Sequence, residues 1–246
     1  MSAERQEERV SLAERAYTEL RARILECEIA PGALVTEARL AADLDIGQTP
    51  TREALRRLAA EGFLTPKHRQ GYEVTPMTVA RVREVFEALR AFLPEVAVLA
   101  AARATPEEKT RLATITAGPT SSDDFARHAG PFAFFFHLCR NPTIIEMTGR
   151  ALGHFEQIGN FAFRCGAQTD EGHLAARRAA LEAFAGADED LIRRTYRALI
   201  DQIERIVVTA LYATASLSGA SVRIGSDARD RIAVVPATVQ STEQAD

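Results

Sequence analysis

Cysteine is scarce in this chain of 246 residues. The three that occur are Cys27, Cys139 and Cys165, and their odd number and irregular spacing predict neither a disulfide framework nor a zinc ribbon. No stretch approaches the roughly 20 apolar residues that a transmembrane helix needs. The first residues, MSAERQEERV, are too polar for a secretory signal. We therefore expect a cytoplasmic protein with reduced thiols and no membrane partner.

Catalytic signatures are also missing from the sequence. There is no Gly-x-Ser-x-Gly elbow, no His-Glu-x-x-His helix, no glycine-rich phosphate loop and no recognisable pairing of cysteine with histidine. An excess of positive charge is missing too, because the net charge is −4, so a general affinity for polyanions is not indicated. We predict that the protein is not an enzyme.

The length of the chain and its hydrophobic content of 46% allow two domains, each with its own core. Both ends are rich in small or polar residues. We expect residues 1–10 to form a disordered arm and residues 216–246 to form a disordered tail. Between them we place one domain at residues 11–77 and a second at residues 78–215.

The segment that begins at Val35 has the pattern of a helix, a tight turn and a second helix. The turn at residues 45–48 leads into Thr49, which we expect to cap the second helix, and Pro50, which suits its first position. Apolar residues then recur at helical spacing on one face. The arginines on the other sides of this helix are Arg52, Arg56 and Arg57.

A β-hairpin is predicted directly after the second helix. Two short β-prone segments, residues 63–65 and 72–74, flank a polar loop at residues 67–71. The N-terminal domain is therefore predicted to be a winged helix-turn-helix of three helices plus a small β-hairpin. Together with the helical second domain described below, the predicted fold class of the chain is mainly α.

Local charge supports DNA binding where the global charge does not. Residues 1–77 contain eleven basic and thirteen acidic residues, whereas residues 49–69 contain five basic and two acidic residues, a local charge of +3. A basic patch on a helix-turn-helix is the expected footprint of a DNA-binding surface. The alternative is an ordinary solvated helix surface beside a hairpin.

This domain resembles the GntR superfamily of bacterial transcription factors. The resemblance lies in residues 40–44, 49–58, 61–64 and 71–74, and residues 29–34 are similar to the family's link between its first two helices. It implies that the second helix of the motif and the wing contact double-stranded DNA. The residues that we assign to this interface are Arg39, Gln48, Thr49, Thr51, Arg52, Arg56, His68, Arg69 and Gly71.

One departure from the family pattern concerns the start of the recognition helix. Many members have Ser-Arg directly before Thr-Pro, whereas this chain has Gly47-Gln48. The change removes a positive charge and a side chain that can read guanine through two hydrogen bonds. The operator sequence is therefore not predicted.

The second half is predicted to be an all-α antiparallel helical bundle. From Thr78 onward the periodicity is helical, without β-alternation, internal repeats or a dinucleotide-binding fingerprint. The expected helices lie at residues 78–103, from Thr105-Pro106 onward, and at residues 121–139, 143–163, 170–185 and 189–214.

This half resembles the FCD ligand-binding domain of the FadR branch of the same superfamily. The matching pieces are residues 89–95, 100–105, 141–142 and 178–188. The resemblance implies a bundle that encloses an effector pocket. Many such domains hold a metal ion with one aspartate and three histidines.

The family's metal ligands are not reproduced in this chain. Alignment on residues 141–142 places His128 at the aspartate position and Phe132 at the first histidine position, while the later match places Arg177 and about Leu199 at the other two. We therefore predict no metal cofactor. Two alternatives stay open, namely a shifted alignment that uses His137 and a rearranged site that uses His154 or His173.

An anionic effector is the other hypothesis for this pocket. The guanidinium of Arg177 would neutralise a carboxylate or phosphate directly, assisted by Arg90, His128 or His173, with Phe132 in the same pocket. The phenylalanine-rich run at residues 132–136 is interpreted mainly as core packing. Arg177 has an alternative role as a salt-bridged surface residue.

These patterns predict a ligand-responsive repressor that binds an inverted-repeat operator as a homodimer. A single winged helix reads only a few base pairs, so a two-fold symmetric dimer is needed for specificity. The effector is expected to be a carboxylate. The alternatives are an effector-independent DNA-binding protein whose bundle serves only dimerisation, and a metal-dependent sensor.

Overall fold

The computed structural model describes the backbone of residues 2–116, 135–217, 223–224 and 232–233, and the side chains of residues 12–116 and 135–214. His128 and Phe132, and most of the helix expected at residues 121–139, lie outside the described residues. The described chain belongs to two compact units, one within residues 1–77 and the other within residues 78–234. Among the described residues, no helix is both long enough and apolar enough to span a membrane.

The N-terminal unit confirms the winged helix-turn-helix. Its three strands pair antiparallel in the order β1-β3-β2, so the predicted hairpin gains a third, two-residue strand. The elements are α1 (Ser2–Leu25), β1 (Leu34–Val35), α2 (Glu37–Leu44), α3 (Gln48–Ala60), β2 (Leu64–Lys67) and β3 (Gly71–Val74).

Helix α1 starts at Ser2, so residues 2–10 are helical rather than the disordered arm expected from their polarity. The first thirty residues contain neither glycine nor proline, and nothing in the sequence interrupts the helix. Beyond residue 12, α1 contributes Leu20 and Ile24 to a core that also contains Leu55, Leu58 and Phe63. Truncating one such buried leucine to alanine typically costs about 2–5 kcal/mol.

The tight turn between α2 and α3 is set by its backbone conformations. Asp45 ends α2 in the left-handed region at φ 50°, and Gly47 is extended at φ −62° and ψ 153°. Helix α3 therefore begins at Gln48, with Gly47 as a cap that has no side chain to accept a hydrogen bond. The prediction that Thr49 caps α3 is wrong, because Thr49 already lies inside the first turn.

The C-terminal unit is a helical bundle, as predicted. The two longest helices pack against each other, and the helix between residues 171 and 186 packs on the last one. Residues 135–138 form a short helical segment. The elements are α4 (Val79–Arg103), α5 (Pro106–Thr116), α6 (Pro142–Arg164), α7 (Glu171–Gly186), α8 (Glu189–Leu217), β4 (Arg223–Ile224) and β5 (Ile232–Ala233).

Short polar side chains define the starts of the bundle helices. Asn141 and Asp170 accept hydrogen bonds from backbone N–H groups in the first turns of α6 and α7. Thr105 and Glu108 form a capping box at α5, because each side chain accepts a hydrogen bond from the other's backbone N–H. Strands β4 and β5 pair within residues 216–246, so the expected disordered tail is wrong for these four residues.

The phenylalanine-rich run contributes to the core wherever the structure describes it. Phe135 stacks on Tyr196 with ring centroids 5.4 Å apart, and Phe136 meets Phe92 edge to face. Phe135 also contacts Phe184 on α7. These contacts agree with the interpretation of the run as core packing, since both Phe135 and Phe136 are buried.

Candidate nucleic-acid interface

Helix α3 presents a polar face to solvent and an apolar face to the core. Gln48, Thr49, Arg52 and Arg56 are all exposed. Arg52 lies four positions after Gln48 and three after Thr49, and Arg56 lies four positions after Arg52. These spacings place the four side chains on the same side of α3. The opposite face holds α3 against α1 and α2. Four predicted interface residues thus share one accessible surface.

Thr51 does not belong to that surface. Its side chain is fully buried, and its hydroxyl donates to the carbonyl oxygen of Gly47 at 3.0 Å. Its backbone N–H also donates to that oxygen. The prediction that Thr51 contacts DNA is therefore wrong, because the residue stabilises the start of α3 from inside.

Arg52 is held by an acidic residue of the preceding helix. Its Nε donates to Oε2 of Glu37, at the start of α2, over 2.7 Å. Arg39 on the same helix is exposed and lies only loosely against Asp43, with 3.9 Å between Nε and Oδ2. Glu37 was missed by the sequence analysis, because nothing local links residues fifteen positions apart.

The local charge of +3 is reduced by acidic residues that lie outside the counted window. Lys67 pairs with Glu73 across the wing. Arg57 contacts Glu14 at 2.8 Å and lies over the ring of Tyr17. Among the described residues, Arg56 and Arg69 have no ion pair, so they are the arginines of this window most available to phosphates.

The wing places its polar loop at the tip of a regular hairpin. Lys67 pairs with Gly71 in the β2–β3 register, and His68 and Arg69 are exposed in the loop between them. Arg69 adopts the left-handed conformation at φ 61°. Both side chains are therefore accessible, as an interface role requires.

Gly71 has a structural explanation that involves no DNA. Its φ is +93°, and a Cβ added there would lie 2.3 Å from the carbonyl oxygen of Val35 and 3.2 Å from the Cα of Thr36. Only glycine permits this approach of β3 to β1 without movement of the backbone. Gly71 therefore has a role in the sheet, and its contact with DNA stays a prediction.

In the bundle, one predicted effector residue is already engaged. The guanidinium of Arg90 donates to Asp201 at 2.8 Å and to Glu204, both on α8. Partial burial lowers the pKa of Arg90, but the hydrogen bonds that it donates to Glu204 and Asp201 outweigh this effect and leave the pKa raised. Two of its N–H donors are therefore already engaged by carboxylates of the neighbouring helix, and the role of Arg90 in holding an anionic effector stays a prediction.

The remaining described effector candidates share helix α7. His173 is buried in its first turn, and Arg177, one turn later, is half-buried. Helix α6 also buries two amide side chains one turn apart, Gln157 and Asn160, in a stripe that is otherwise largely apolar. Two amides one turn apart within an apolar helical pattern are visible in the sequence itself.

The histidines do not form a metal centre in the described part of the chain. His154 contacts Arg81, with 2.9 Å between Nδ1 and Nη2. His137 is exposed. Across the described residues, no group of three or more histidine, cysteine, aspartate or glutamate side chains is arranged to hold a metal ion.

Comparison with known proteins agrees with this geometry. Residues 12–74 match the family described as "Bacterial regulatory proteins, gntR family". An uncharacterized HTH-type transcriptional regulator of an unstable DNA locus in Streptomyces ambofaciens is 30% identical over 213 residues, or 77% of this chain and 84% of its own. The Nta operon transcriptional regulator of Aminobacter aminovorans is 44% identical over 79 residues. That second match spans 32% of this chain and 37% of the relative.

Solved structures share the fold at low sequence identity. The E. coli protein McbR/YncC superposes with a TM-score of 0.66 at 17% identity, covering 80% of this chain and 97% of its own. A GntR transcriptional regulator from Rhodococcus sp. RHA1 gives 0.64 at 16% identity, covering 81% and 99%. These similarities concern the fold alone, a winged helix-turn-helix and a helical bundle.

Proposed function

The chain belongs to the GntR family of bacterial regulatory proteins and is a DNA-binding transcriptional regulator; from this premise we propose that it is a homodimeric repressor whose operator affinity responds to a small organic acid. The observation that carries the proposal is the exposed face of α3, where Gln48, Thr49, Arg52 and Arg56 are accessible together. His68 and Arg69 add a second contact surface from the wing.

The contacts divide into readers and anchors. Gln48 and Arg52 carry the side-chain types that form paired hydrogen bonds with adenine and guanine edges in the major groove. Arg39, Arg56 and Arg69 would neutralise phosphates, which supplies affinity without sequence information. Since one such unit reads few base pairs, we propose an inverted repeat read by two copies of the chain in the cytoplasm.

The effector site is proposed to lie in the bundle beside α7. Arg177 provides the positive charge that a carboxylate requires, and His173 lies one turn away on the same helix. Gln157 and Asn160 are further candidates, because buried amides can orient a polar ligand within an apolar cavity. Binding would shift the dimer between states of different DNA affinity.

DNA selection on the full-length protein tests the first part of the proposal. Duplexes enriched from a random library should contain an inverted repeat, and Arg52→Ala should abolish specific binding while the protein stays folded. Arg178→Ala serves as the control, because it removes an exposed arginine that pairs with Glu171 in the bundle. Undiminished binding by Arg52→Ala would exclude α3 from recognition.

A thermal-shift panel tests the effector. Small organic acids and divalent metals are added separately to chelator-treated wild type and to Arg177→Ala. Stabilisation by an acid that is lost in the variant supports a site anchored by the guanidinium. Stabilisation by metal alone contradicts it and favours a rearranged histidine site, whereas no response to either class favours a bundle that serves only dimerisation.

A further inference from the structure

The ion pair between Glu37 and Arg52 joins the two helices of the helix-turn-helix. Glu37 lies in the first turn of α2, where the adjacent Thr36 accepts a hydrogen bond from the backbone of Arg39. The backbone of Glu37 therefore belongs to a capped helix end. About a quarter of its side chain is exposed, compared with about half of that of Arg52.

The geometry of this pair leaves most of the guanidinium available. The bond uses the single N–H at Nε of Arg52, at 2.7 Å from Oε2. A guanidinium has five N–H donors, so four remain on Nη1 and Nη2. Within the described part of the chain, Arg52 makes no second hydrogen bond or ion pair. Two parallel donors are what the O6 and N7 atoms of guanine accept.

We infer that Glu37 is a positioning residue for sequence recognition: it holds Arg52 by the Nε edge so that the Nη groups are presented to a base. The inference rests on the proposed role of Arg52 in DNA reading. A long side chain that is already ordered loses less conformational freedom when it meets its base. A loosely held arginine would instead reach for the nearest phosphate, which is the same for every sequence.

The negative charge of Glu37 also affects DNA affinity, and it lowers the affinity for every sequence. A carboxylate on the DNA-facing side of the motif repels phosphates, so it weakens binding to all sequences equally. An exposed ion pair adds little to folding stability. Glu37 is therefore expected to lower non-specific affinity and to raise discrimination, a combination that a purely structural residue would not produce.

The test measures both quantities on the full-length protein. The probes are the duplex selected by the wild type and a shuffled duplex of the same composition, at one fixed salt concentration. Glu37→Ala should lower the ratio of the two affinities at least about fivefold, within the range of a lost paired contact. Glu37→Gln keeps a neutral acceptor for Nε, so it should retain most of the ratio while binding both duplexes more tightly.

Two controls separate positioning from general effects. Glu19→Ala breaks a pair of matched geometry, with 2.8 Å between Arg23 Nε and Glu19 Oε1, on α1 of the same unit. It should leave the ratio unchanged. In the Arg52→Ala background, where discrimination is already lost, Glu37→Ala should only tighten binding to both duplexes, since a positioning residue acts only through its partner.

The outcomes distinguish this inference from the proposed function. If Arg52→Ala leaves specific binding intact, the recognition role of α3 fails and the inference fails with it. If Arg52→Ala abolishes discrimination but Glu37→Ala leaves the affinity ratio of the two duplexes unchanged, only the inference is overturned.

Discussion

The guanidinium carbon of Arg57 lies 3.5 Å from the ring centroid of Tyr17, so a basic residue of the recognition helix serves packing rather than DNA binding. The hydroxyl of Tyr17 donates to Glu61 at 2.9 Å, and Arg57 also contacts Glu14. Burial and the hydrogen bond to Glu61 raise the pKa of Tyr17. The network joins α1 to the far end of α3.

This network predicts different consequences for two adjacent arginines. Arg57→Ala should destabilise the N-terminal unit by about 1–2 kcal/mol, because it removes a cation–π contact and exposed ion pairs. Arg56→Ala should leave stability unchanged but reduce the salt dependence of DNA binding by about one phosphate contact. Hydrogen exchange of α1 and α3 amides measures the first effect, and binding at several salt concentrations measures the second. Equal effects of the two variants on hydrogen exchange would contradict the assignment.

Two glycines with positive φ provide a matched test of the sheet. Gly71→Ala should cost at least about 2–3 kcal/mol, since it adds a collision with the carbonyl of Val35 to the strain of a left-handed backbone. Gly32, at φ +84°, has no atom within 4 Å of an added Cβ, so Gly32→Ala should cost only about 1 kcal/mol. Urea unfolding of both variants is the measurement. Similar losses for the two would mean that β3 does not approach β1 so closely.

Local signals in the sequence were sufficient for most of the fold. The helix predicted at residues 143–163 is α6, which starts one residue earlier, at Pro142, with Asn141 as its cap. Thr105-Pro106 predicted the start of α5. Such boundaries depend on neighbouring residues, which a sequence displays directly. The error at Thr49 arose because Gly47, which caps α3 through its backbone alone, leaves no side-chain signal.

Contacts between distant residues could not be predicted in the same way. An arginine such as Arg90 is a residue type that binds anions. Its ion pairs with Asp201 and Glu204 become visible only when α4 packs on α8. Thr51 was assigned to DNA through the resemblance to the family, but the helical phase turns its side chain into the core. The role of Arg90 depends on a partner more than 100 positions away in the chain. The role of Thr51 depends on the rotation of about 100° per residue along the helix.

Asp170 should give the bundle an acid-dependent stability. A hydrogen bond from Arg205 and a second from the backbone N–H of His173 hold the pKa of Asp170 below its usual value of 3.8. A depressed pKa means that the stabilisation is complete above about pH 5 and is lost as the pH falls through the pKa of the folded state.

Asp170→Asn tests this dependence while preserving the helix cap. Asparagine can still accept the backbone hydrogen bond of His173, but it carries no charge for Arg205. Wild type should therefore be more stable than the variant at pH 6, and the difference should shrink as the pH falls below the ordinary carboxyl pKa of 3.8. Urea unfolding at a series of pH values measures it. A difference that is constant with pH would show that the carboxylate charge makes no contribution.

Substitutions of Arg90 and Arg177 should have different effects, because the first arginine stabilises the bundle and the second is proposed to bind the effector. Arg90→Gln leaves Asp201 and Glu204 without their cation, so it should lower stability by about 1–2 kcal/mol without changing the thermal shift produced by organic acids. Arg177→Gln should abolish that shift, because it removes the positive charge proposed to bind the carboxylate. The measurement is the difference in melting temperature with and without acid for each variant. Loss of the acid response in Arg90→Gln but not in Arg177→Gln would move the effector site to the α4–α8 contact and make the ion pair a gate that the acid displaces.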